Sequence, residues 1–425
     1  MSSSPSPEAP DTPSRQATNS RASKYSLIGT LYVAQAIPLG FFITAMPVIL
    51  RSEGMPIELV GLFSAIAFPW LLKFLWAPLV DRYRWRWMSR GHYLSWILLL
   101  QVLAIASVLG LAAVDLGSQL GLVIGLAAFF MVLSATQDIA TDGLSVRALA
   151  SEERGPGNGI QVGGYYLGQV LGGGFLLILF AQLGWSSVFI AMALLLALPV
   201  PWVLRFREPA HGADDAASRV GYGALRRFFT RPGTLQWVGL LLLFRSGEAM
   251  ATFSFNQMLL DLGLGLTDIG LLAGLLYALG ALAGSLLGGA LVPVLGRRPA
   301  ILGFAALQCA AILSYLLPAS GRSDLWTLAA SLVLVSFAGG ASTAALYTAM
   351  MDASRQESAG TDFTLQQALC AIGPVVGTGL SGFSVAAWGF GGHFLLCAAI
   401  AFAAFLLAMA QSLPADRAEM LPTAA

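Results

Sequence analysis

The sequence predicts an all-α membrane protein with twelve transmembrane helices in two six-helix bundles. Three observations carry that expectation: composition, the number of long apolar runs, and where Lys and Arg fall between them. Of 425 residues, 57% are hydrophobic and 11% are charged, whereas soluble domains average about 45–50% and about 25%. A net charge of +1 supplies no basic field for nucleic acid.

Runs long enough to span a bilayer, about 17–25 residues each, occur at 27–50, 57–80, 92–114, 119–143, 159–182, 184–205, 235–258, 267–295, 300–318, 324–351, 364–388 and 391–412. The sixth and twelfth follow their predecessors across Gly-containing turns. Lys24, Arg82, Arg84, Arg86, Arg90, Arg147, Arg154, Arg205, Arg207, Arg219, Arg226, Arg227, Arg231, Arg297, Arg298, Arg355 and Arg417 lie in the N-terminal tail or after even-numbered runs, and the opposite loops hold Arg51 and Arg322. A missed run would scramble this pattern, and the positive-inside rule places both termini in the cytoplasm.

The same features divide the chain. Residues 1–26, rich in Ser and Pro, lack the apolar core of a signal peptide and read as a disordered cytoplasmic tail. Residues 27–205 form one bundle, 206–234 a basic cytoplasmic linker, 235–412 the second bundle and 413–425 a tail. The halves echo each other: Gly157-Asn158-Gly159-Ile160-Gln161 followed by Gly172-Gly173-Gly174 matches Gly360 to Gln366 followed by Gly377 and Gly379. Parallel six-helix repeats give this pattern. Ladders at Gly164/Gly168/Gly172, Gly280/Gly284/Gly288, Gly373/Gly377/Ser381 and Gly61/Ala65 permit close helix approach. The repeat pattern resembles the major facilitator folds, in which the fifth helix meets the eighth and the second the eleventh, and this resemblance implies that the ladders join those pairs.

Ionisable residues within the runs are the candidate functional groups, because a charge in the bilayer costs several kcal/mol and persists where it works. Asp138 and Asp142 lie four apart, on one helix face. Two adjacent carboxylates suit proton exchange; helix capping or pairing with Arg147 is the alternative for Asp142. Arg245 and Glu248 lie three apart in the seventh run. They form either a self-satisfied ion pair, or an anion-binding arginine beside a proton-accepting carboxylate. Lys73 stands near the inner end of the second run, where a snorkelling role fits equally well. Gln35, Trp70, Tyr165, Tyr166, Asn256, Gln257, Tyr347, Gln366 and Gln367 fall within or beside the runs and offer stacking and hydrogen-bonding surface to a sizeable organic solute.

His92, His211 and His393 are too scattered for a metal site and read as solvated. Cys309, Cys370 and Cys397 read as buried small hydrophobes. The sequence has no phosphate-binding Gly-x-x-x-x-Gly-Lys loop, so ATP is not expected to power the chain itself; a proton gradient is the expected energy source, and no cofactor, metal or enzymatic role is expected. Paired aspartates also occur in intramembrane proteases, but those come from two helices and these share one.

The segment from Phe74 to Tyr83, containing Trp76-Ala77-Pro78 and Asp81-Arg82, resembles the loop 2–3 signature of the major facilitator superfamily. The resemblance implies that Asp81 and Arg82, with Arg297 and Arg298 in the second half, form a conformational latch. Pro293 and Val294 stand where the second half's acid would be, so the latch is expected to be asymmetric. Ser134 to Gly143 is similar to the helix-4 motif of AmpG-like muropeptide permeases and acetyl-coenzyme A transporters. Tyr32 to Phe41 and Gly157 to Tyr165 resemble the rhizobactin and pyochelin siderophore permeases. The resemblance implies a monomeric, proton-coupled importer of the bacterial inner membrane. Its expected substrate is an iron–siderophore complex, with peptidoglycan-derived muropeptides as the alternative.

Overall fold

A computed structural model describes residues 19–56, 60–61, 63–85, 91–209 and 220–411. Residues 1–18 and 413–425 of the expected tails, and His211, lie outside the described residues. The described chain is helical almost throughout. Ten segments among the described residues are long and apolar enough to cross a membrane.

These segments are α1 (Arg21–Ser52), α3 (His92–Ala113), α4 (Leu120–Ala148), α5 (Ser151–Leu183), α6 (Trp185–Arg205), α7 (Thr234–Asp261), α8 (Thr267–Leu295), α9 (Arg297–Ala319), α10 (Leu325–Ala353) and Ala359–Ala410. The last is two helices, α11 (359–388) and α12 (390–410), divided at Gly389 with φ 66°. That backbone suits glycine alone among common residues. Gly184, at φ 78°, makes the same break between α5 and α6. The twelfth crossing, α2, is assembled from Ser64–Ala67, Phe68–Leu72, Lys73–Leu75 and Ala77–Arg82. Pro69 and Pro78 withhold backbone donors, which explains why this span is segmented. In the linker, Gly223–Phe229 is a short helix.

The first helix begins at Arg21, six residues before the apolar run. Lys24 bonds Glu153 at 2.6 Å, which draws that polar turn onto the bundle. The two ends of the described chain lie on one side. Asn19 Nδ2 donates to the Arg207 carbonyl at 2.6 Å, and Arg298 Nη2 donates to the Met409 carbonyl at 2.9 Å.

The halves meet at this terminus-bearing end. One apolar cluster there mixes Ile28, Tyr32, Val146 and Leu149 with Trp237, Val292, Met350 and Phe363. Toward the other end each half has a cluster of its own, around Phe41, Phe130 and Phe189 in one and Phe255, Tyr315 and Phe394 in the other.

The glycine ladders act differently from the expectation. Helices α5 and α8 do meet, and so do α2 and α11. The α5–α8 contact, however, runs through Gly155 and Gly159 against Gly289 and Ser285, with Gly163 against Leu282. The ladder Gly164/Gly168/Gly172 instead packs on Val33, Ala36 and Ile37 of α1. Gly280/Gly284/Gly288 packs on Ser336, Phe337 and Ala341 of α10, and Gly373/Gly377 on Leu242, Ser246 and Met250 of α7. Gly61 has nothing within 4 Å of a Cβ position. The other three ladders therefore each bind a half to itself, through close van der Waals packing of backbones.

That division is testable by over-packing. A Cβ on Gly284 would strike the Phe337 backbone, which cannot swing aside, whereas one on Gly303 meets nothing within 4 Å. Gly284→Val is expected to destabilise the second half by about 1–3 kcal/mol, seen as a lower thermal midpoint of the detergent-solubilised protein. Gly303→Ala leaves the midpoint unchanged.

Candidate functional site

Three clusters of buried polar groups occupy the bundle. The first is built on α4. Asp138 and Asp142 are 3% and 0% exposed, and their four-residue spacing turns both toward α2. Lys73 arrives from the 3₁₀ turn of α2 and is 4% exposed. Its ammonium bonds Asp138 Oδ2, lies 3.7 Å from Asp142 Oδ2, and donates to Gln367 Oε1 of α11 at 2.8 Å. The Trp70 ring lies 5.3 Å from it. Asp142 Oδ1 accepts from Tyr32 of α1 at 2.5 Å and from Gln161 of α5 at 3.3 Å. Gln35 donates to Thr141 at 2.8 Å.

Two of the sequence alternatives are thereby decided. Lys73 does not snorkel: the carboxylates neutralise it within the bundle, so it has no need to reach the interface. Asp142 does not pair with Arg147, because five positions along a helix place two side chains about 140° apart. Arg147 instead donates Nε to the Gln356 carbonyl at 2.9 Å and stacks 4.7 Å from the Tyr93 ring.

The second cluster surrounds a break in α7. The helix is interrupted at Arg245, between Thr234–Phe244 and Ser246–Asp261. Glu248 is buried and accepts the Tyr277 hydroxyl of α8. Arg245 Nη2 lies 3.9 Å from Glu248 Oε2, at the outer limit of an ion pair, and the side chain is 29% exposed. Its Nε is buried without a hydrogen-bond acceptor. Tyr165, Tyr166 and Tyr347 lie near Arg245. Tyr165 and Tyr166 meet edge to face with centroids 5.6 Å apart, and Tyr166 meets Tyr277 across the halves at 6.2 Å. Trp70 Nε1, Asn256 Oδ1 and Gln35 Oε1 are also buried without partners, and Gln257 is exposed.

Gln366 does not join this group. Its amide accepts from Trp237 at 2.8 Å and donates to the Met350 carbonyl, Ser354 and the Asp362 carbonyl at 3.0–3.1 Å. A saturated, fully buried amide offers nothing to a solute. Its sequence neighbour Gln367 is the one that reaches Lys73.

The third cluster closes the terminus-bearing end. Asp81 is fully buried. Its Oδ1 accepts from Tyr93 at 2.6 Å and Gly360 N at 3.2 Å, and its Oδ2 from Thr361 N at 2.8 Å and Thr361 Oγ1 at 2.6 Å. An acid of the first half thus sits on the first backbone N–H groups of α11, where the helix dipole favours a negative charge. Arg82 is exposed and lies 5.8 Å from the Tyr83 ring, so Asp81 reaches across the halves without it.

Arg297 of the second half does meet an acid, supplied by α10. Asp352 accepts Arg297 Nε at 2.8 Å and Arg154 Nη1 at 2.7 Å, while Arg297 Nη2 reaches the Ser151 carbonyl at 2.5 Å. Arg298 is occupied with the end of α12. Asp352 and Thr361 escaped the sequence reading. An acid and a hydroxyl at helix ends look like ordinary solvated residues until the opposite half is brought to them.

Two histidines also differ from expectation. His92 is buried and its Nε2 lies 2.9 Å from the Val80 carbonyl. His393, fully buried, bonds Ser384 at 2.6 Å. Among the described residues no group of three or more His, Cys, Asp or Glu could hold a metal ion.

The model of a family described as the Major Facilitator Superfamily matches residues 28–259 and 238–420. The chain belongs to the Major Facilitator Superfamily. It is 29% identical over 378 residues to the anhydromuropeptide permease of Escherichia coli K12, covering 88% of this chain and 77% of that one. An uncharacterized protein of Haemophilus influenzae is 30% identical over 384 residues, 87% and 90% of the two chains. A Rickettsia felis protein described as putative transporter AmpG 4 is 25% identical over 281 residues, 63% and 67% of the two chains. Among solved structures, FucP in an outward conformation superposes with a TM-score of 0.71 at 14% identity, over 92% of this chain and 99% of that one. The human organic anion transporter MFSD10 gives 0.68 at 18%, over 92% and 100%. Both share the fold.

The cross-half bonds to Asp81 are charge-assisted and buried, about 1.5–3 kcal/mol each. Asp81→Ala is expected to shift the population away from the closed terminus-bearing end. Double electron–electron resonance between spin labels at Glu152 and Thr230 then gains a longer-distance component, and Arg82→Ala leaves the distance distribution unchanged.

Proposed function

We propose that this superfamily transporter carries peptidoglycan-derived anhydromuropeptides across the bacterial inner membrane into the cytoplasm, driven by protons. The observation that carries this reading is 29% identity, across 88% of the chain, to a permease described for that substrate. The geometry supports it: a muropeptide has carboxylates, sugar rings and many amides. Arg245, with an unbonded Nε and a loose ion pair to Glu248, is suited to a carboxylate. Tyr165, Tyr166 and Trp70 are suited to stacking on sugar rings, and Gln35, Asn256 and Gln257 to amide hydrogen bonds. Gln366 is left out of the set.

With both termini in the cytoplasm, as the Lys and Arg distribution favours, the closed end is cytoplasmic and this state faces outward. Solute then enters from the opposite side, rests between the halves near Arg245, and is released when the Asp81–Thr361 and Asp352 contacts part. Rocking of two six-helix repeats about a central site supplies that alternation. Glu248, Asp138 and Asp142 are the groups able to exchange a proton.

The siderophore reading rests on the likeness of residues 32–41 and 157–165 to siderophore permeases, and the relatives above lend it no support. Purified protein in proteoliposomes distinguishes the two. Under an inward proton gradient, labelled anhydromuropeptide is expected to accumulate and radioiron-loaded pyochelin is not, with accumulation abolished by a protonophore. Arg245→Gln should weaken half-saturation about 10-fold or more, the worth of one charge-assisted contact. Accumulation of the iron complex alone would reverse the assignment. Transport of neither would remove the substrate claim.

A further inference from the structure

We propose that Asp142, rather than Asp138 or Glu248, is the carboxyl that binds the coupling proton. The inference rests on the proton-driven reading above and adds to it which side chain carries the load.

The first argument is charge. The α4 cluster contains two carboxylates and one ammonium, all nearly sealed from solvent. Lys73 is bonded directly to Asp138 and stands off at 3.7 Å from Asp142. One cation balances one anion, so ionising both aspartates leaves an uncompensated charge in apolar surroundings, and such a charge is neutralised by taking up a proton. Glu248 is not in that position, since Arg245 faces it alone.

The second argument counts donors. Asp142 Oδ1 accepts two hydrogen bonds, from Tyr32 and Gln161. Its Oδ2 accepts none, and neither does the buried Oε1 of Gln35 or of Gln161. Acceptor oxygens thus outnumber donors around this residue. Buried acceptors without donors are costly. A proton on Oδ2 removes one of them and supplies a donor in the same step. Asp138 Oδ2 already holds the lysine.

The titratable and charged groups facing Asp142 are Tyr32 of α1, Lys73 of α2, Asp138 on its own helix and Tyr347 of α10. The neutral amide of Gln161 comes from α5. Loading forms one O–H bond at Oδ2 with a proton from the aqueous phase, and unloading returns that proton to water. The ionised Oδ2 then attracts the Lys73 ammonium 3.7 Å away, the same ammonium that holds Gln367. The Lys73–Gln367 bond joins the halves, so the charge on Asp142 bears directly on whether this end stays closed.

The test needs no solute. Infrared difference spectra of the purified full-length protein across a pH titration are expected to contain a carboxylic-acid C=O stretching band that disappears on deprotonation. The band should be lost in Asp142→Asn and kept in Glu248→Gln. A band that survives Asp142→Asn, one lost instead in Glu248→Gln, or no titrating band in the unmodified protein overturns the assignment. If Asp142→Asn fails to fold, Tyr32→Phe serves. Removing the hydroxyl that bonds Oδ1 raises the frequency of the band if it belongs to Asp142, and an unmoved band overturns the proposal. Failed muropeptide uptake with this band intact would count against the substrate alone.

Discussion

Charge matching inside an apolar medium is the constraint on which the rest of this structure depends. An ionised side chain at membrane depth costs several kcal/mol unless another group meets it. The bundle answers with Lys73 against Asp138, Arg245 against Glu248, and Asp352 against both Arg154 and Arg297. Among the described residues no cation is bonded to Asp81; hydrogen bonds from Tyr93, Gly360 and Thr361 take that place. A buried pair contributes little net stability when made, but losing one partner is expensive. Pairs that cross the halves therefore do less to hold the fold than to decide which end is shut.

Two kinds of close approach divide the labour. Within each half, glycine ladders bring backbones together without polar exchange, and water has nothing to offer in their place. Between the halves at the terminus-bearing end, a shared apolar cluster and the α5–α8 glycine contact are joined by hydrogen bonds and ion pairs, such as Arg297 to Ser151 and Thr361 to Asp81. Water can replace those bonds when the halves separate. The bundles can thus part along one seam and stay intact along the others, as a rocking transporter requires.

Much of this was legible in the sequence, for reasons that particular residues make plain. Apolar run length fixes a span because helix rise and bilayer thickness are constants, and eleven of the twelve crossings read cleanly on that basis. The second did not read as segmented, because its Pro69 and Pro78 sit in an apolar run that looks continuous. Asp138, Asp142, Arg245 and Glu248 stood out because charge is rare at depth. Tyr32 and Tyr277, which bond Asp142 and Glu248, and Thr361, which bonds Asp81, did not, since each is an ordinary residue on a distant helix and only tertiary packing selects it. The ladders show the limit most clearly. Spacing reveals that Gly164, Gly168 and Gly172 share a face, but it cannot say whether α1 or α8 lies against that face. His393 marks the converse case, a polar residue next to a turn that the bundle buries by giving it Ser384.

The two internal charge clusters are unequal, and their inequality bears on coupling. The α7 site pairs one cation with one anion at 3.9 Å and leaves arginine hydrogens free; it gains by meeting an external anion. The α4 site has one anion too many and gains by meeting a cation, for which a proton suffices. Two sites of opposite appetite, one per half, are linked across the seam by Tyr166 on Tyr277 and by Lys73 on Gln367. Tyr277 also bonds Glu248, and Lys73 also bonds Asp138. Each bridge thus ends on the charge cluster of one half. A change of charge in either half therefore acts directly on a contact between the halves, and under the proposed mechanism proton and solute govern one movement without sharing a binding site.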